Sequence, residues 1–443
     1  MPKRKSPKIK NSYQIKNKGS VKFNALRKVD PQLFQLVAQE IQRQQDTLDL
    51  IASENIAPEA ILEVLGSPLT NKYSEGYPFK RYYPGNFYYD QIEILAQERA
   101  LQAFHLNKKT WAVNVQPYSG SPANLEIYNA LLKPGDTLMG MSLTSGGHLT
   151  HGHSANLSGK LYRSVQYEVN PKTELIDYQE IEKLAKKYHP KLIVSGLTSY
   201  PRKINFKKIT QISHQVGAYS VADISHVAGL VLAGLFPNPF QSCDLVMTTT
   251  HKTLRGPRGA IIFINKKSPI ALKNKIDLES VINKSVFPQM QGGPHNNVTA
   301  AIALMFHLAQ SRDFKNYQKQ ILKNSKALAQ ELKKRGFKLV TDGTDNHLMV
   351  LDLRKLGLTG SAAENLLEKA GIIANRNVVV GDKSSFHPSG IRIGVPAVTS
   401  RGLKEREMEK IAELISRVLI RREDPQLVRP EVKKLCLQFK VFG

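Results

Sequence analysis

Cysteine is nearly missing: Cys243 and Cys436 are the only two in 443 residues. Two distant thiols exclude a disulfide framework and point to a reducing compartment, which we expect to be the cytoplasm. Long apolar runs are missing too. None approaches the ~20 residues that cross a bilayer, so neither a spanning helix nor a membrane partner is expected. No His/Cys/Asp/Glu spacing matches a metal site. Acidic residues are scarce, 37 against 63 Lys and Arg, giving a net charge of +26 and pI ≈ 9.8. Residues 1–30 hold ten Lys/Arg and one acid, Asp30. This opening has no apolar segment of the kind a secretory signal needs. It is rich in lysine rather than arginine and serine, unlike a mitochondrial presequence. Residues 1–28 are expected to form a basic disordered tail. Its field would favour non-specific, salt-sensitive nucleic-acid contact and would steer anionic small molecules.

What is present is enough for a large core. The chain is 41% hydrophobic and long enough for two domains. Strand-like runs at 191–195, 218–223 and 244–248 alternate with helical stretches, which argues an α/β fold with a mainly parallel sheet. From about residue 300 helices dominate. Ile321, Leu328 and Leu332 line one helix face, and Gly336 sits where a C-terminal cap belongs. Strand-like 338–340 and 347–353 and the helix 361–369 complete a smaller α+β unit. The expected division is a tail (1–28), an N-terminal arm (29–60), a large domain (61–305) and a small C-terminal domain (306–443).

The chemistry concentrates around Lys252, in Met247-Thr-Thr-Thr-His-Lys-Thr-Leu-Arg-Gly-Pro-Arg-Gly259. This reads as a strand end running into a tight turn, followed by a second strand at 260–264. A lysine at a strand end beside a carbonyl cofactor can form a Schiff base. Asp223 also falls at a strand end, with His226 three residues on. Ligands in open α/β sheets bind outside the carboxyl ends of the strands. A carboxylate there suits the ring nitrogen of pyridoxal phosphate. Read alone, Asp223 is an ordinary turn residue and His226 a core histidine; with Lys252 they become a candidate set. Ser119-Gly120-Ser121 precedes a helical stretch from Pro122, a place where free backbone N–H groups and the helix dipole attract phosphate. Gly146-Gly147-His148 puts a flat ring beside glycines that permit close approach to a ligand.

The order of these motifs resembles the serine hydroxymethyltransferase family, fold-type I pyridoxal-phosphate enzymes, over roughly residues 30 to 420. The matching stretches run from Leu50-Ile-Ala-Ser-Glu-Asn55 through Asn71-Lys-Tyr-Ser-Glu-Gly-Tyr-Pro78, Lys80-Arg-Tyr-Tyr83 and Gln291-Gly-Gly-Pro294 to Ser389-Gly-Ile-Arg-Ile-Gly394. The resemblance implies transfer of the serine hydroxymethyl carbon to tetrahydrofolate, giving glycine and 5,10-methylenetetrahydrofolate. It implies that Lys252 bonds the cofactor aldehyde and that Asp223 pairs with the ring nitrogen. His148 stacks on the ring, His226 lies near its phenolic oxygen, and Ser119, Gly120 and Ser121 take the phosphate. Asn124 and Thr198 are further cofactor contacts. Tyr73, Gly292 and Gly293 reach the phosphate from a second subunit of a homodimer or tetramer. Ser53, Tyr83 and Arg392 bind the amino acid. Glu75 handles the proton, with His251 and Thr249 beside Lys252. The folate contacts implied are Glu75, Tyr82, Leu143, Gly147, His148, Leu149, Asn377, Ser384, Ser385 and Phe386.

Some positions depart from the family pattern. Thr198 stands for a serine, Phe79 for a glycine, and Pro84 follows the tyrosine pair. The loop 377–383 is short and lacks the usual proline, and 265–285 is lysine-rich. These departures leave open a folate-independent, α-methylserine or threonine aldolase-type lyase. The basic charge leaves open an RNA-binding protein on a former enzyme scaffold.

Overall fold

The computed structural model describes residues 23–382 and 387–441. Most of the basic tail and the expected folate residues Ser384, Ser385 and Phe386 lie outside them. The tail was read to residue 28, but a helix already spans Asn24–Val29, none of it buried.

The large sheet has seven strands: β1 (Trp111–Asn114), β2 (Thr137–Met141), β3 (Arg163–Tyr167), β4 (Leu192–Gly196), β5 (Tyr219–Asp223), β6 (Leu245–Thr249) and β7 (Ala260–Asn265). Their order is β1-β7-β6-β5-β4-β2-β3. Only β7 runs against the direction of the other six strands. Helices cover both faces, so these strands are apolar on both sides rather than alternating. In β6 and β7, Val246, Ile261 and Phe263 enter one core, whereas Leu245, Met247, Ile262 and Ile264 enter the other. All strands except β7 end on the same side, so residues after β5 and β6 open onto one rim.

A four-stranded antiparallel sheet forms the second body, in the order Lys338–Leu339, Leu348–Asp352, Gly390–Gly394, Asn375–Asn377. It has its own core, which includes Ile321, Leu328, Leu332, Met349, Ile391 and Ile415. The helix Arg312–Lys334 joins the bodies: Phe314 packs in the large core, and Ile321 and Leu328, each seven residues on, pack in the small one. It stops at Gly336 (φ +91°), where the Gly336 and Phe337 amides bond the carbonyls of Lys333 and Leu332.

The arm does not stand apart. Leu48–Asp49 pairs in parallel with Ile372–Ile373, and Leu48 and Leu50 lie in the small core. Buried Arg401 donates to the carbonyls of Thr47 and Gln45 and to those of Cys436 and Phe439, tying the arm to the C-terminal helix. We propose that residues 31–55 belong with the small domain. The helical stretch after Ser119 spans Gly120–Leu131. Ala123, Ile127 and Tyr128 are its fully buried apolar face, while Leu125 and Leu131 only flank that core.

The same helix holds Glu126, buried, with no hydrogen-bond partner for either carboxylate oxygen. Burial pushes its pKa up to about 8. The folded state therefore binds this proton more tightly than the unfolded chain. The associated stability is complete below about pH 4.5 and is lost as pH rises through about 8. Replacing Glu126 with Gln should flatten the decline in thermal stability between pH 6 and 8.5, a difference on the order of 1–3 kcal/mol. Parallel melting curves at both pH values for variant and wild type would contradict this.

Candidate active site

The rim above β5 and β6 surrounds a cavity of about 290 Å³. Lys252 reaches it because β6 ends at Thr249 and the chain turns at once. The Thr250 amide and the Gly259 carbonyl close that turn (3.1 Å), and the Gly256 amide bonds the Thr250 carbonyl (2.8 Å). The turn is fixed from outside as well. Asn55 Nδ2 donates to the Lys252 carbonyl (2.8 Å) and Gln318 Nε2 to the Thr253 carbonyl (2.7 Å). The Lys252 ammonium donates to Thr249 Oγ1 (3.0 Å). Burial brings its pKa down to about 8, against the opposing pull of Asp223 and with Arg392 and Arg258 adding to the fall. A sizeable neutral fraction near pH 8 is what a nucleophilic lysine needs.

Asp223 closes β5 and lines the same cavity. Its Oδ2 accepts from Asn124 Nδ2 (3.0 Å) and faces His151 Nε2 (3.2 Å); its Oδ1 accepts from the Ser225 amide (3.0 Å). His151 Nδ1 accepts the His148 amide (3.2 Å), so the ring proton sits on Nε2 and points at Asp223. Burial alone would raise the Asp223 pKa. The hydrogen bonds from His151 and Ser225 outweigh it and hold the carboxyl well below the usual range. Asp223 is thus a buried, fixed negative charge. His148 lines the cavity with its pKa pushed down to about 4 by burial, so its ring is neutral at pH 7. Thr150 orients that ring: its amide (3.2 Å) and hydroxyl (2.7 Å) both lie on Nδ1.

Ser119, Gly120 and Ser121 line the cavity at the N-terminus of the helix Gly120–Leu131. Gly120 is required there, since a Cβ would come within 2.6 Å of the Thr249 methyl. At the other end lies buried Arg392, on the strand Gly390–Gly394. Its Nε donates to Asn375 Oδ1 (3.1 Å) and one terminal nitrogen to the Thr198 carbonyl (2.8 Å). The second terminal nitrogen has no protein acceptor among the described residues. Burial lowers its pKa to about 10, so it stays charged. Ser53, Thr198, His226, Thr249 and His251 also line the cavity. His226 Nδ1 faces His347 Nε2 (3.2 Å); burial drives both imidazoles to the neutral form, so one donates and the other accepts.

The remaining expected residues gather elsewhere. Tyr73 and Glu75 lie against Gly293 and Gly292: the Cβ positions of these glycines are 3.1 Å from the Tyr73 ring and 3.2 Å from Glu75 Oε1. Tyr83 packs edge-on to Tyr73 (5.7 Å) and Tyr82 to Phe287 (5.8 Å). Tyr73, Tyr82 and Tyr83 are exposed, and none of this group lines the cavity. Leu143 starts a short 3-10 turn and Leu149 is exposed. Gly147 is packed so closely on the Met141 carbonyl that no side chain fits. Asn377 lines a separate gap of about 20 Å³ beside Gly146 and Thr144, too small for a bound ring system. Sequence reasoning missed His151, Thr150, Ser225, Asn375, Arg258 and Glu54. His151 was visible as the second imidazole of His148-Leu-Thr-His151, but its partner is 72 positions away.

A family model described as serine hydroxymethyltransferase matches residues 26–415. A protein named serine hydroxymethyltransferase from Bombyx mori is 48% identical over 403 residues, covering 89% of this chain and 87% of that protein. The chain belongs to the serine hydroxymethyltransferase family. Its fold is that of the fold-type I pyridoxal-phosphate enzymes, and its activity is one-carbon transfer from serine. The cavity between Lys252 and Asp223 is where this family membership meets the geometry. Because the Asp223 charge supports the protonated lysine, Asp223→Asn should move the pH midpoint for acylation of Lys252 in the cofactor-free chain further below 8. A midpoint that stays put or rises would contradict the coupling.

Proposed function

We propose that this chain binds pyridoxal phosphate in the 290 Å³ cavity, with Lys252 on its aldehyde carbon and Asp223 on its ring nitrogen. The observation that carries the reading is that a depressed lysine, a fixed carboxylate, a neutral imidazole and a helix N-terminus share one small cavity. The lining also fits the group in detail. Asn124 Oδ1, Thr198 Oγ1 and His251 Nδ1 are buried there without hydrogen-bond partners, which is unusual unless a ligand supplies them. When bound, pyridoxal phosphate supplies an electron sink that lets the Cα–Cβ bond of serine break.

The residues of the chain do the rest. Arg392 holds the amino-acid carboxylate with the terminal nitrogen left free by Asn375 and Thr198, a fork geometry suited to carboxylates. That anchor, with Ser53 beside it, fixes which bond of the substrate stands over the ring; such positioning can supply ~7–11 kcal/mol in favourable cases. Asp223 keeps a proton on the ring nitrogen, because its carboxyl stays ionised through the working pH range. Thr249 takes the Lys252 ammonium hydrogen bond and holds the amine beside the cavity when it is displaced.

Tetrahydrofolate would enter from outside, past Leu143, Gly147 and Leu149, with Tyr82 and Asn377 as flanking contacts. We assign Glu75 the proton transfer at the serine hydroxyl. Tyr73 and Tyr83 are exposed, Glu75, Gly292 and Gly293 are half-buried, and none of the five lines the cavity; we assign them to the site of a second copy, which makes the working unit a homodimer. The cytoplasm is the proposed location; both cysteines are free and buried, and no helix among the described residues is long and apolar enough to cross a membrane.

Borohydride treatment should fix pyridoxal phosphate to the wild-type chain, with the added mass mapping to the peptide of Lys252. Lys252→Ala should take up none; a label on another lysine overturns the assignment. Glu75→Gln should lose tetrahydrofolate-dependent serine cleavage ~100-fold or more, while the glycine-induced change in cofactor absorbance stays within a few-fold of wild type. Equal loss of both removes Glu75 from proton transfer. Serine cleavage that proceeds equally without tetrahydrofolate would favour the aldolase-type reading.

A further inference from the structure

The side-chain amide of Asn55 is bonded on every side. Its Nδ2 donates to the Lys252 carbonyl (2.8 Å) and to the Tyr317 hydroxyl (2.8 Å). Its Oδ1 accepts from the Ser400 hydroxyl (2.6 Å) and from the Ile56 amide (2.9 Å). That is the full complement of an asparagine amide. The amide cannot be turned over, because its oxygen would then face the Lys252 carbonyl and its hydrogens the Ile56 N–H. Yet Asn55 does not line the cavity, and the chemistry above gives it no part.

Its partners come from each body that builds the site. Lys252 belongs to the turn after β6. Tyr317 lies on the helix Arg312–Lys334, and the next residue, Gln318, holds the Thr253 carbonyl (2.7 Å). Ser400 ends the helix Pro396–Ser400, which follows the Arg392 strand after the single residue Val395. The Tyr317 hydroxyl donates to the Pro396 carbonyl (3.2 Å) at the start of that helix. The chain leading to Asn55 is anchored on the same strand. The Gly394 amide bonds the Leu50 carbonyl (2.7 Å), and a Cβ on Gly394 would come within 2.4 Å of Ala52 Cα.

Arg255 closes the grip from the other side of the turn. Its backbone is left-handed (φ +59°), which residues other than glycine rarely adopt. Its amide bonds the Lys252 carbonyl (3.1 Å), and its Nε donates to the Ile56 carbonyl (3.2 Å). Its guanidinium lies 5.0 Å from the centre of the Tyr317 ring. The Lys252 carbonyl thus has one donor from its own turn and one from Asn55.

We propose that Asn55, backed by Tyr317, is a positioning residue for Lys252. It fixes the lysine turn to the body that carries Arg392, so that amine and guanidinium keep one spacing across the cavity. Both groups address the same small molecule, and misplacement by ~1 Å can slow a bond-forming step ~100-fold. Asn55 touches none of the reacting atoms and acts only through the Lys252 backbone. The inference rests on reading Lys252 as the residue that bonds the cofactor aldehyde.

Two ligands separate positioning from general damage. Pyridoxal phosphate carries the aldehyde. Pyridoxine phosphate has the same ring and phosphate with an alcohol in its place, so it cannot bond Lys252. In Asn55→Ala, the rate at which pyridoxal phosphate becomes fixable to Lys252 by borohydride should fall about tenfold, while calorimetric affinity for pyridoxine phosphate stays within about twofold of wild type. Tyr317→Phe removes one oxygen and keeps the ring under Arg255. It should show the same split at about two- to threefold, and it carries the test where Asn55→Ala does not fold. An unchanged capture rate, or equal falls for the two ligands, overturns the proposal. Absence of label on Lys252 in the wild type would instead remove the reading of Lys252 itself, and the proposal with it.

Discussion

A buried carboxylate that must stay ionised organises this molecule. Asp223 sits at the end of a central strand, out of water, where an unpaired charge is costly. The chain meets that cost with three fixed donors drawn from three segments: Asn124 from the helix Gly120–Leu131, His151 from the glycine-rich loop and the Ser225 amide from its own turn. Each donor is itself constrained. His151 has its tautomer set by the His148 amide, and the same loop orients the His148 ring through Thr150. The network that pays for one charge therefore also positions the flat imidazole and the helix N-terminus.

Around that charge the fold divides the labour. The large sheet delivers Asp223 and Lys252 from adjacent strands whose ends share a rim. The small sheet brings Arg392, and the arm brings Ser53 and Glu54 across on a backbone anchored to the same strand. The helix Arg312–Lys334, buried in both cores, keeps the two bodies in register. The result is a small cavity lined by both cationic and anionic groups. That suits a zwitterionic substrate on an anionic, electron-accepting cofactor.

Much of this was legible in the residues. Strand ends could be placed from apolar runs broken by polar, turn-forming residues, so Asp223 and Lys252 were correctly set at termini, and β4, β5 and β6 fall within a residue of the expected runs. Helix patterning likewise placed Ile321, Leu328 and Leu332 together and Gly336 at the stop. What escaped were contacts whose partners are remote in sequence. The pairing of Leu48–Asp49 with Ile372–Ile373 has no local signature, so the arm looked independent. His151 looked like a loop residue because its acceptor lies on another strand.

The most direct test of the central claim is a crystal structure of the chain with pyridoxal phosphate and glycine bound. The account predicts the ring nitrogen within hydrogen-bond distance of the Asp223 carboxylate, the phosphate on the backbone of residues 119–121 and the glycine carboxylate on Arg392. A ring whose nitrogen faces solvent or another residue, with Asp223 still bound only to Asn124, His151 and Ser225, would contradict it.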